Sequence, residues 1–290
     1  MTKPYVYLIL AMLAWGFSNP FSDLALEHLP IGWMFLVELG TGFIVLSFFF
    51  RRTWLQLPWK AVAALGLLQP GLTYFFGNLG YASGTVATGL IIMSSEVLLL
   101  AIFGWWFLRE SLRPKELFAL LVGFGGAVIA GYSAQANSIG SLWSNLFFAF
   151  AAIAAAGYSV LIRKLALEDQ NLDAVGLAWG QAFVAFLFAA LTFPVTTTLT
   201  SGEFDFALVG YLAAAGSGVF GVALPFVWYA KAAVSVSTGH AAIGLNLIAV
   251  FGILIGALIG RGLPTPLQVV GGALVLLSVF ATEQRQQQAD

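Results

Sequence analysis

The segment Ala14-Trp15-Gly16-Phe17-Ser18, followed by Leu24-Ala25-Leu26-Glu27, occurs twice in this chain. The second copy is Ala155-Ala156-Gly157-Tyr158-Ser159, followed by Leu165-Ala166-Leu167-Glu168. Every residue is displaced by 141 positions (155 − 14 = 141), close to half of the 290 residues. An internal repeat of this kind decides the architecture before any local pattern does. We therefore predict two similar halves, residues 1–137 and 138–290.

The composition indicates a membrane protein. Hydrophobic residues make up 60% of the chain, charged residues make up 9%, and the mean hydropathy is +0.93. A soluble domain carries roughly 25% charged residues. The apolar runs are about 20 residues long, which is the length of helix that crosses a bilayer core. We predict an all-α, multi-pass membrane protein and expect its first span to be retained, since no signal-peptide cleavage site follows it.

Other features exclude several kinds of site. The sequence has no cysteine, which excludes disulfides, thiolate metal ligands and cysteine nucleophiles. No basic tract suited to nucleic acid occurs, and we expect neither a metal nor a cofactor. The partners expected from the sequence are the lipid bilayer and a small-molecule substrate.

Ten hydrophobic spans can be delimited by their apolar runs. They cover residues 4–22, 31–50, 61–80, 85–108, 115–132, 142–162, 174–194, 207–230, 239–259 and 266–282. With both termini in the cytoplasm, eleven lysines and arginines fall on the cytoplasmic side and only Arg261 falls outside. This bias follows the positive-inside rule and predicts a bacterial-type inner-membrane protein.

Each half has five spans, an odd number, so the second half must cross the membrane in the opposite direction. The charges follow this inversion, since Asp23 in the first copy corresponds to Lys164 in the second. Inverted repeats allow a carrier to alternate between inward-open and outward-open shapes. The alternative is that duplication merely produced a large bundle.

Several short motifs resemble one transporter family. They are Leu13-Ala14-Trp15-Gly16 in the first span, Arg109-Glu110-Ser111-Leu112 after the fourth, Tyr229-Ala230-Lys231-Ala232 ending the eighth, and glycine-rich fifth and tenth spans. In this order they resemble the ten-helix, EamA-type branch of the drug/metabolite transporter superfamily. The resemblance implies an inner-membrane carrier, often an exporter of metabolites, with its binding cavity between the halves. Within the branch, the chain is similar to the aromatic amino acid and paraquat exporters.

The chain also departs from that family. Many relatives have an arginine where this chain has Glu38, and a proline where it has Glu96. The second repeat has Arg261 where the first has Glu110. These differences weaken any transfer of the family's usual substrate or coupling ion.

Two helical stripes of polar and aromatic residues are candidate walls of a substrate cavity, because polar groups in lipid tend to face the protein interior. The first is Trp15, Ser18, Asn19 and Ser22, and the second is Tyr74, Asn78 and Tyr81. Both suit a flat or amphipathic organic solute. The alternative is packing between helices through polar contacts worth about 0.6 kcal/mol each.

Glu96 lies near the middle of the fourth span, where a carboxylate costs about 2.5–3.5 kcal/mol on insertion scales. It is a candidate for binding a substrate ammonium group or carrying the coupling proton. The alternative is a neutral glutamic acid bonded to a neighbouring helix. Glu38 is the second candidate for proton coupling.

The residue 141 positions after Glu38 is Trp179, which places a carboxylate and an indole at equivalent points of the repeat. We expect this pair to suit a cationic or zwitterionic aromatic solute, with Trp179 or Tyr158 stacking over its cation. Trp228 completes the set of candidate substrate-binding residues.

Two polar residues near span ends have simpler interpretations. His240 is interpreted as a polar cap, the alternative being a proton relay, and Glu110 is interpreted as half of a solvated loop ion pair with Arg109 or Arg113. Gly252, Gly256 and Gly260 form a small-residue ridge, which indicates packing inside a monomer or, alternatively, dimerisation. Pro20, Pro70 and Pro225 are candidate hinges, the alternative being static kinks.

These features favour a secondary transporter that exports amino acids, especially aromatic ones, or organic cations. The alternatives are an uptake carrier or an uncoupled facilitator for another metabolite. An intramembrane enzyme would need a Ser–His pair, an aspartate pair or metal ligands, and we predict that the chain is not an enzyme.

Overall fold

The structure is a computed structural model that describes residues 3–83, 86–131, 141–198, 204–259 and 263–283. The side chains of residues 81–83, 86–88, 90, 282 and 283 lie outside that description. Within it the chain forms ten helices, joined by short connections that include the 3₁₀ turn Arg52–Gln56. The helices are α1 (Lys3–His28), α2 (Ile31–Ser47), α3 (residues 59–83), α4 (residues 86–108), α5 (Pro114–Gly131), α6 (Leu142–Glu168), α7 (Ala174–Thr198), α8 (Leu208–Ala233), α9 (Thr238–Leu258) and α10 (Pro266–Glu283).

Six helical stretches in the described part of the chain are long and apolar enough to cross a bilayer. They are Ile91–Leu108, Pro114–Gly131, Leu142–Glu168, Ala174–Thr198, Leu208–Ala233 and Thr238–Leu258, and shorter apolar helices cover Ile31–Ser47 and Pro266–Ala281. Large apolar side chains such as Trp105 and Trp106 are exposed on the outside of the bundle, where lipid replaces water.

The two halves interlock with approximate two-fold symmetry. In the first half, α1 packs against α8 and α9, and in the second half α6 packs against α3 and α4. Helix α2 pairs with its own counterpart α7, and α5 pairs with its counterpart α10. The most extensive contacts thus join helices of different halves, as a two-fold axis in the membrane plane requires. The predicted fold of ten helices in two inverted five-helix repeats is confirmed.

The α5–α10 pair depends on glycine at the crossing point. A Cβ atom at Gly126 would lie 2.7 Å from the Gly271 carbonyl oxygen, and one at Gly271 would collide with the carbonyl of Gly126. Small residues allow helix backbones to approach this closely, and in lipid such packing drives association.

Four helices are interrupted near their middles, in symmetric positions. Helix α8 contains a wide π-helical turn at Gly218–Ala223, and α3 is kinked in the corresponding stretch Leu67–Leu72, where the backbone of Gln69 is not helical. Helix α4 breaks between Val86–Met93 and Glu96–Leu108, and α9 breaks at Asn246. Turns of the π type often occur at functional sites, and discontinuous helices at membrane depth expose backbone groups to a cavity.

The three candidate hinge prolines have different surroundings. Helix α1 continues through Pro20 without interruption. At Pro70 the helix does break, because Gln69 has an extended backbone (φ −149°, ψ 126°). Pro225 follows the π turn of α8 and begins a regular segment. Their role as hinges stays a prediction.

We call the end of the bundle where α1 begins the basic end, and the opposite end the far end. Helix order places all ten lysines and arginines of the described segments at the basic end. They are Lys3, Arg51, Arg52, Lys60, Arg109, Arg113, Lys115, Arg163, Lys164 and Lys231. The assignment of this end to the cytoplasm stays a prediction.

Candidate functional site between the two repeats

Aromatic side chains from both halves meet in the middle of the bundle. The Trp15 ring packs against Phe226 and Tyr229, with centroids 5.6 and 5.5 Å apart. The centroid of the Tyr158 ring lies 5.4 Å from that of Phe226 and 6.1 Å from that of Tyr229. These four residues, with Tyr74, form what we call the central aromatic cluster. It brings together α1 and α3 of the first half with α6 and α8 of the second.

The carbonyl of Gly221 joins this cluster to the π turn of α8. It accepts hydrogen bonds from Trp15 Nε1 at 3.0 Å and from the Tyr74 hydroxyl at 2.7 Å. A carbonyl oxygen has two lone pairs and can accept both. Two of the predicted aromatic residues are therefore fixed to one backbone atom of the opposite half.

Glu38 lies next to the same turn and is 3% exposed. Its Oε1 accepts a hydrogen bond of 2.5 Å from the Ser217 hydroxyl, which also lies 2.8 Å from the Ser22 hydroxyl. Because the Ser217 proton goes to Glu38, the single Ser22 proton goes either to the Ser217 oxygen or to the Ser18 carbonyl, 3.1 Å away. Ser18 donates to the Trp15 carbonyl. A line of hydrogen bonds thus connects the Glu38 carboxyl group with α1 and α8.

Glu96 is the first residue of the second segment of α4 and is only partly buried. It interacts electrostatically with the hydroxyl groups of Tyr74 and Tyr229 in the central aromatic cluster. Among the described residues it makes no hydrogen bond, and the helix N-terminus favours a negative charge there. The hydrogen-bonding capacity of its carboxyl group is therefore not used by the described part of the chain.

The second half contributes a polar pair that has no regular hydrogen bonds. The Tyr158 hydroxyl lies beside the Gln181 amide, and both residues are 0% exposed. Within the described segments, neither the hydroxyl group nor the two amide atoms find a partner of normal geometry. An unsatisfied buried polar group costs about 1–3 kcal/mol, so this pair is suited to a further hydrogen-bonding ligand or to water.

An ion pair closes the bundle at the basic end. Arg163 on α6 donates to Glu110 Oε1 through Nε at 2.9 Å and NH2 at 2.8 Å. The other Glu110 oxygen accepts from the backbone N–H and the hydroxyl of Thr238, at 2.7 and 2.9 Å. Arg163 also donates to the carbonyls of Ala233 and Val234. We call Glu110, Arg163 and Thr238 the basic-end latch.

This latch corrects the interpretation of Glu110 as half of a solvated pair with Arg109 or Arg113. The side chains of Glu110 and Arg163 are only 19% and 11% exposed. A small cavity lies between the latch and the aromatic cluster, lined by residues that include Ser159, Tyr229 and Ala232. Arg163 and Thr238 of the latch also line this cavity, so the latch lies at its edge towards the basic end.

Trp179 lies outside the central aromatic cluster. Its Nε1 donates to Ser47 at 3.0 Å, and its ring packs against Phe50, Trp54 and Phe183. The expected pairing with Glu38 is therefore not observed. The reason is that the offset between the repeats differs from 141 at this point of the chain, so Trp179 is not the residue equivalent to Glu38.

The remaining predicted site residues have varied environments. Asn78 is buried, and its amide nitrogen has no partner in the described part of the chain. Asn19 is exposed and lies close to Gly252 of α9. Trp228 is half-buried at the edge of the core, and the side chain of Tyr81 lies outside the description.

Two further sequence interpretations concern α9. His240 lies 2.8 Å from Ser237, whose hydroxyl caps the helix, so the cap is the serine and the histidine lies beside it. Gly252 faces α1, because a Cβ atom at Gly16 would come within 3.1 Å of the Gly252 nitrogen. Gly260 lies outside the described residues, and dimerisation through the ridge stays a prediction.

At the far end, His28 and Asp205 hold α1 and the start of α8 together, with Nδ1 and Oδ1 2.9 Å apart. The Ala207 N–H, which donates to Asp205, and the neighbouring His28 lower the pKa of the Asp205 carboxyl group below its usual range. Favourable hydrogen bonds to the ionised form cause this direction of shift.

Sequence reasoning missed several of these residues. Phe226 and Tyr229 look like ordinary core aromatics, and Gln181 is an uncharged residue in an apolar span. Arg163 could have been found, since it is an arginine inside a helix that continues for more than a turn beyond it. Its pairing with Glu110, 53 positions away, has no local signal.

The comparisons with known proteins agree with this architecture. The model of the EamA-like transporter family matches the chain twice, at residues 2–132 and 142–283. One solved structure, titled "Crystal structure of protein", superposes with a TM-score of 0.78 at 17% identity, covering 99% of this chain and 98% of that one. No curated protein matches the chain.

The fold and the family match define a multi-pass membrane transporter. The chain belongs to the EamA-like transporter family.

Proposed function

We propose that this protein is a secondary carrier that exports small organic solutes by alternating access through a site between its repeats. The substrates we propose are amino acids, aromatic ones above all, or organic cations. The observation that carries this proposal is the central aromatic cluster. It lies where helices of both halves meet, and Glu96 stands at its edge.

The chemistry of the cluster supports this substrate class. Indole and phenol rings stack on flat solutes and attract cations placed over their faces. A carboxylate within reach of the same rings would bind an ammonium group. Rearrangement of the halves would open the cluster alternately to the two ends, because each wall belongs to a different half.

The test is solute counterflow in liposomes that contain the purified protein, with L-tryptophan, L-phenylalanine and tetraethylammonium as probes. We expect at least one probe to exchange faster than in protein-free liposomes. Trp15→Ala should weaken its binding by about tenfold, the loss of one or two aromatic contacts worth about 0.5–1.5 kcal/mol each. Trp179→Ala is the matched control, since it removes a buried indole outside the cluster. If no probe is exchanged, or if both variants behave alike, the proposal is wrong.

A further inference from the structure

Glu38 and Gln181 occupy equivalent positions in the two repeats. A Cβ atom at Gly218 of α8 would collide with the Glu38 carbonyl oxygen, and a Cβ atom at Gly66 of α3 would collide with the Gln181 carbonyl oxygen. Gly66 precedes the kink of α3 and Gly218 begins the π turn of α8, and both contacts join a second helix of one repeat to the third helix of the other. The two-fold axis therefore relates Glu38 to Gln181, whose side chain has the same shape but carries no ionisable group.

The two positions differ in their hydrogen bonding. The residue before Gly218 is Ser217, which donates to Glu38. The residue before Gly66 is Leu65, and the Gln181 amide lies beside the Tyr158 hydroxyl without a hydrogen bond of normal geometry in the described part of the chain. A carboxyl group with a hydroxyl partner is thus present in one repeat only.

The groups that face Glu38 leave its charge uncompensated. Helix α1 presents Ser18 and Ser22, α7 presents the ring of Phe186 near Gly40, and α8 presents Ser217. The Tyr74 hydroxyl on α3 is the titratable group that interacts with it electrostatically. No ion pair joins Glu38 to a basic side chain among the described residues, and burying an unpaired charge costs several kcal/mol.

We propose that Glu38 is the one carboxyl group that exchanges a proton in each transport cycle, and that Gln181 is its permanently neutral counterpart. This inference rests on the proposed function. It assigns the coupling proton to Glu38 and the binding of the solute to Glu96.

The proton step follows from the position of Glu38, which lies on α2 and faces Ser217 of α8. When the halves rearrange, Ser217 moves relative to Glu38 and water reaches the carboxyl group from one end at a time. At the far end a hydronium ion loses one O–H bond and becomes water, and a new O–H bond forms on the carboxylate. The same bond breaks when that proton passes to water at the basic end, and one solute molecule moves the opposite way.

The experiment compares two measurements on each variant in liposomes, with L-tryptophan as the probe. Counterflow needs no net proton movement, whereas accumulation driven by a pH gradient does. We expect Glu38→Gln to keep counterflow and lose gradient-driven accumulation. The exchanged variant Glu38→Gln with Gln181→Glu should regain part of that accumulation, because the two-fold axis gives it an equivalent site. Thr192→Val, also on α7, is the control and should keep both activities, because the Thr192 hydroxyl donates to the Phe188 carbonyl of its own helix.

Two outcomes would overturn the proposal while leaving the carrier function intact. One is counterflow in the wild type without any gradient-driven accumulation, and the other is a Glu38→Gln variant that still accumulates the probe. Absence of counterflow in the wild type would instead contradict the proposed function. In that case, infrared difference spectra between two pH values test the protonation of Glu38 independently of transport. The proposal requires a titrating carboxyl band in the wild type that is missing from Glu38→Gln.

A variant with the carboxyl group intact covers the case in which Glu38→Gln does not fold. Ser217→Ala removes only the hydrogen-bond donor, so we expect the pH midpoint of accumulation to move while counterflow persists. An unmoved midpoint would contradict the role of the Glu38–Ser217 pair.

Discussion

Arg163 and Glu110 form a two-pronged ion pair between the end of α6 and the connection that follows α4. It ties the second half to the first at the basic end, beside the small cavity below the central aromatic cluster. A carrier that opens towards this end must break the pair.

Removing the latch should therefore favour the state that is open at the basic end. The chain has no cysteine, so Ser159→Cys introduces a single thiol into the wall of the small cavity. We expect Arg163→Ala to raise the rate at which a polar maleimide labels that thiol by about tenfold or more, since breaking a buried ion pair costs a few kcal/mol. Lys164→Ala is the control, because Lys164 is exposed and its distance to Glu168 is 4.0 Å. Equal labelling in both variants would contradict a gating role.

Substitution of Glu96 should lower the affinity for cationic solutes more than the affinity for neutral ones. Glu96→Gln keeps the size of the side chain and removes the charge that faces Tyr74 and Tyr229. We expect affinity for tetraethylammonium to fall by about tenfold, an energy of about 1.4 kcal/mol, with a smaller change for uncharged aromatic solutes. Competition in the counterflow assay measures both affinities, and a uniform loss for the two classes would argue against a direct charge contact.

The far-end pair predicts a pH-dependent stability. The Asp205 pKa is lowered in the folded protein, so its stabilising contribution is present above the usual pKa of an aspartate and disappears as the pH falls through the lowered value. Thermal unfolding in detergent should show Asp205→Asn less stable than the wild type at neutral pH. The difference should shrink in acid, and a constant difference would exclude ionisation of Asp205 as its cause.

Two neighbouring glycines test the α5–α10 contact. A methyl group at Gly126 would lie 2.7 Å from the Gly271 carbonyl, whereas one at Gly125 would meet no atom within 4 Å. We expect Gly126→Ala to lower the unfolding temperature, and Gly125→Ala to leave it unchanged or raise it slightly because alanine favours the helix. Equal effects would mean that the two helices are not in close contact at this point.

The sequence predicts the fold of this protein better than its site. Apolar run length and the displaced copy of Ala14–Ser18 lead directly to ten helices in two inverted halves, because lipid leaves few ways to satisfy the hydrogen-bonding groups of a polypeptide backbone.

The central aromatic cluster was found in part, through Trp15, Tyr74 and Tyr158. Glu38 received the wrong counterpart because insertions change the offset between the repeats. An offset of 141 assigns Trp179 to Glu38 (179 − 38 = 141), whereas the contacts in the structure assign Gln181, at an offset of 143 (181 − 38 = 143). The partners of Glu110 and Gly221 depend on contacts between distant helices, which no local pattern encodes.

The interlocking of the halves has a consequence for biosynthesis. Helices α1 to α5 find most of their packing partners in α6 to α10, so the first five spans enter the membrane before the surfaces that they bury exist. During translation these spans must wait among lipids or insertase subunits, with Glu38 and Glu96 still without their final neighbours. Truncation after α5 should therefore yield a polypeptide that is inserted but rapidly degraded, and supplying the missing half as a separate chain should rescue it.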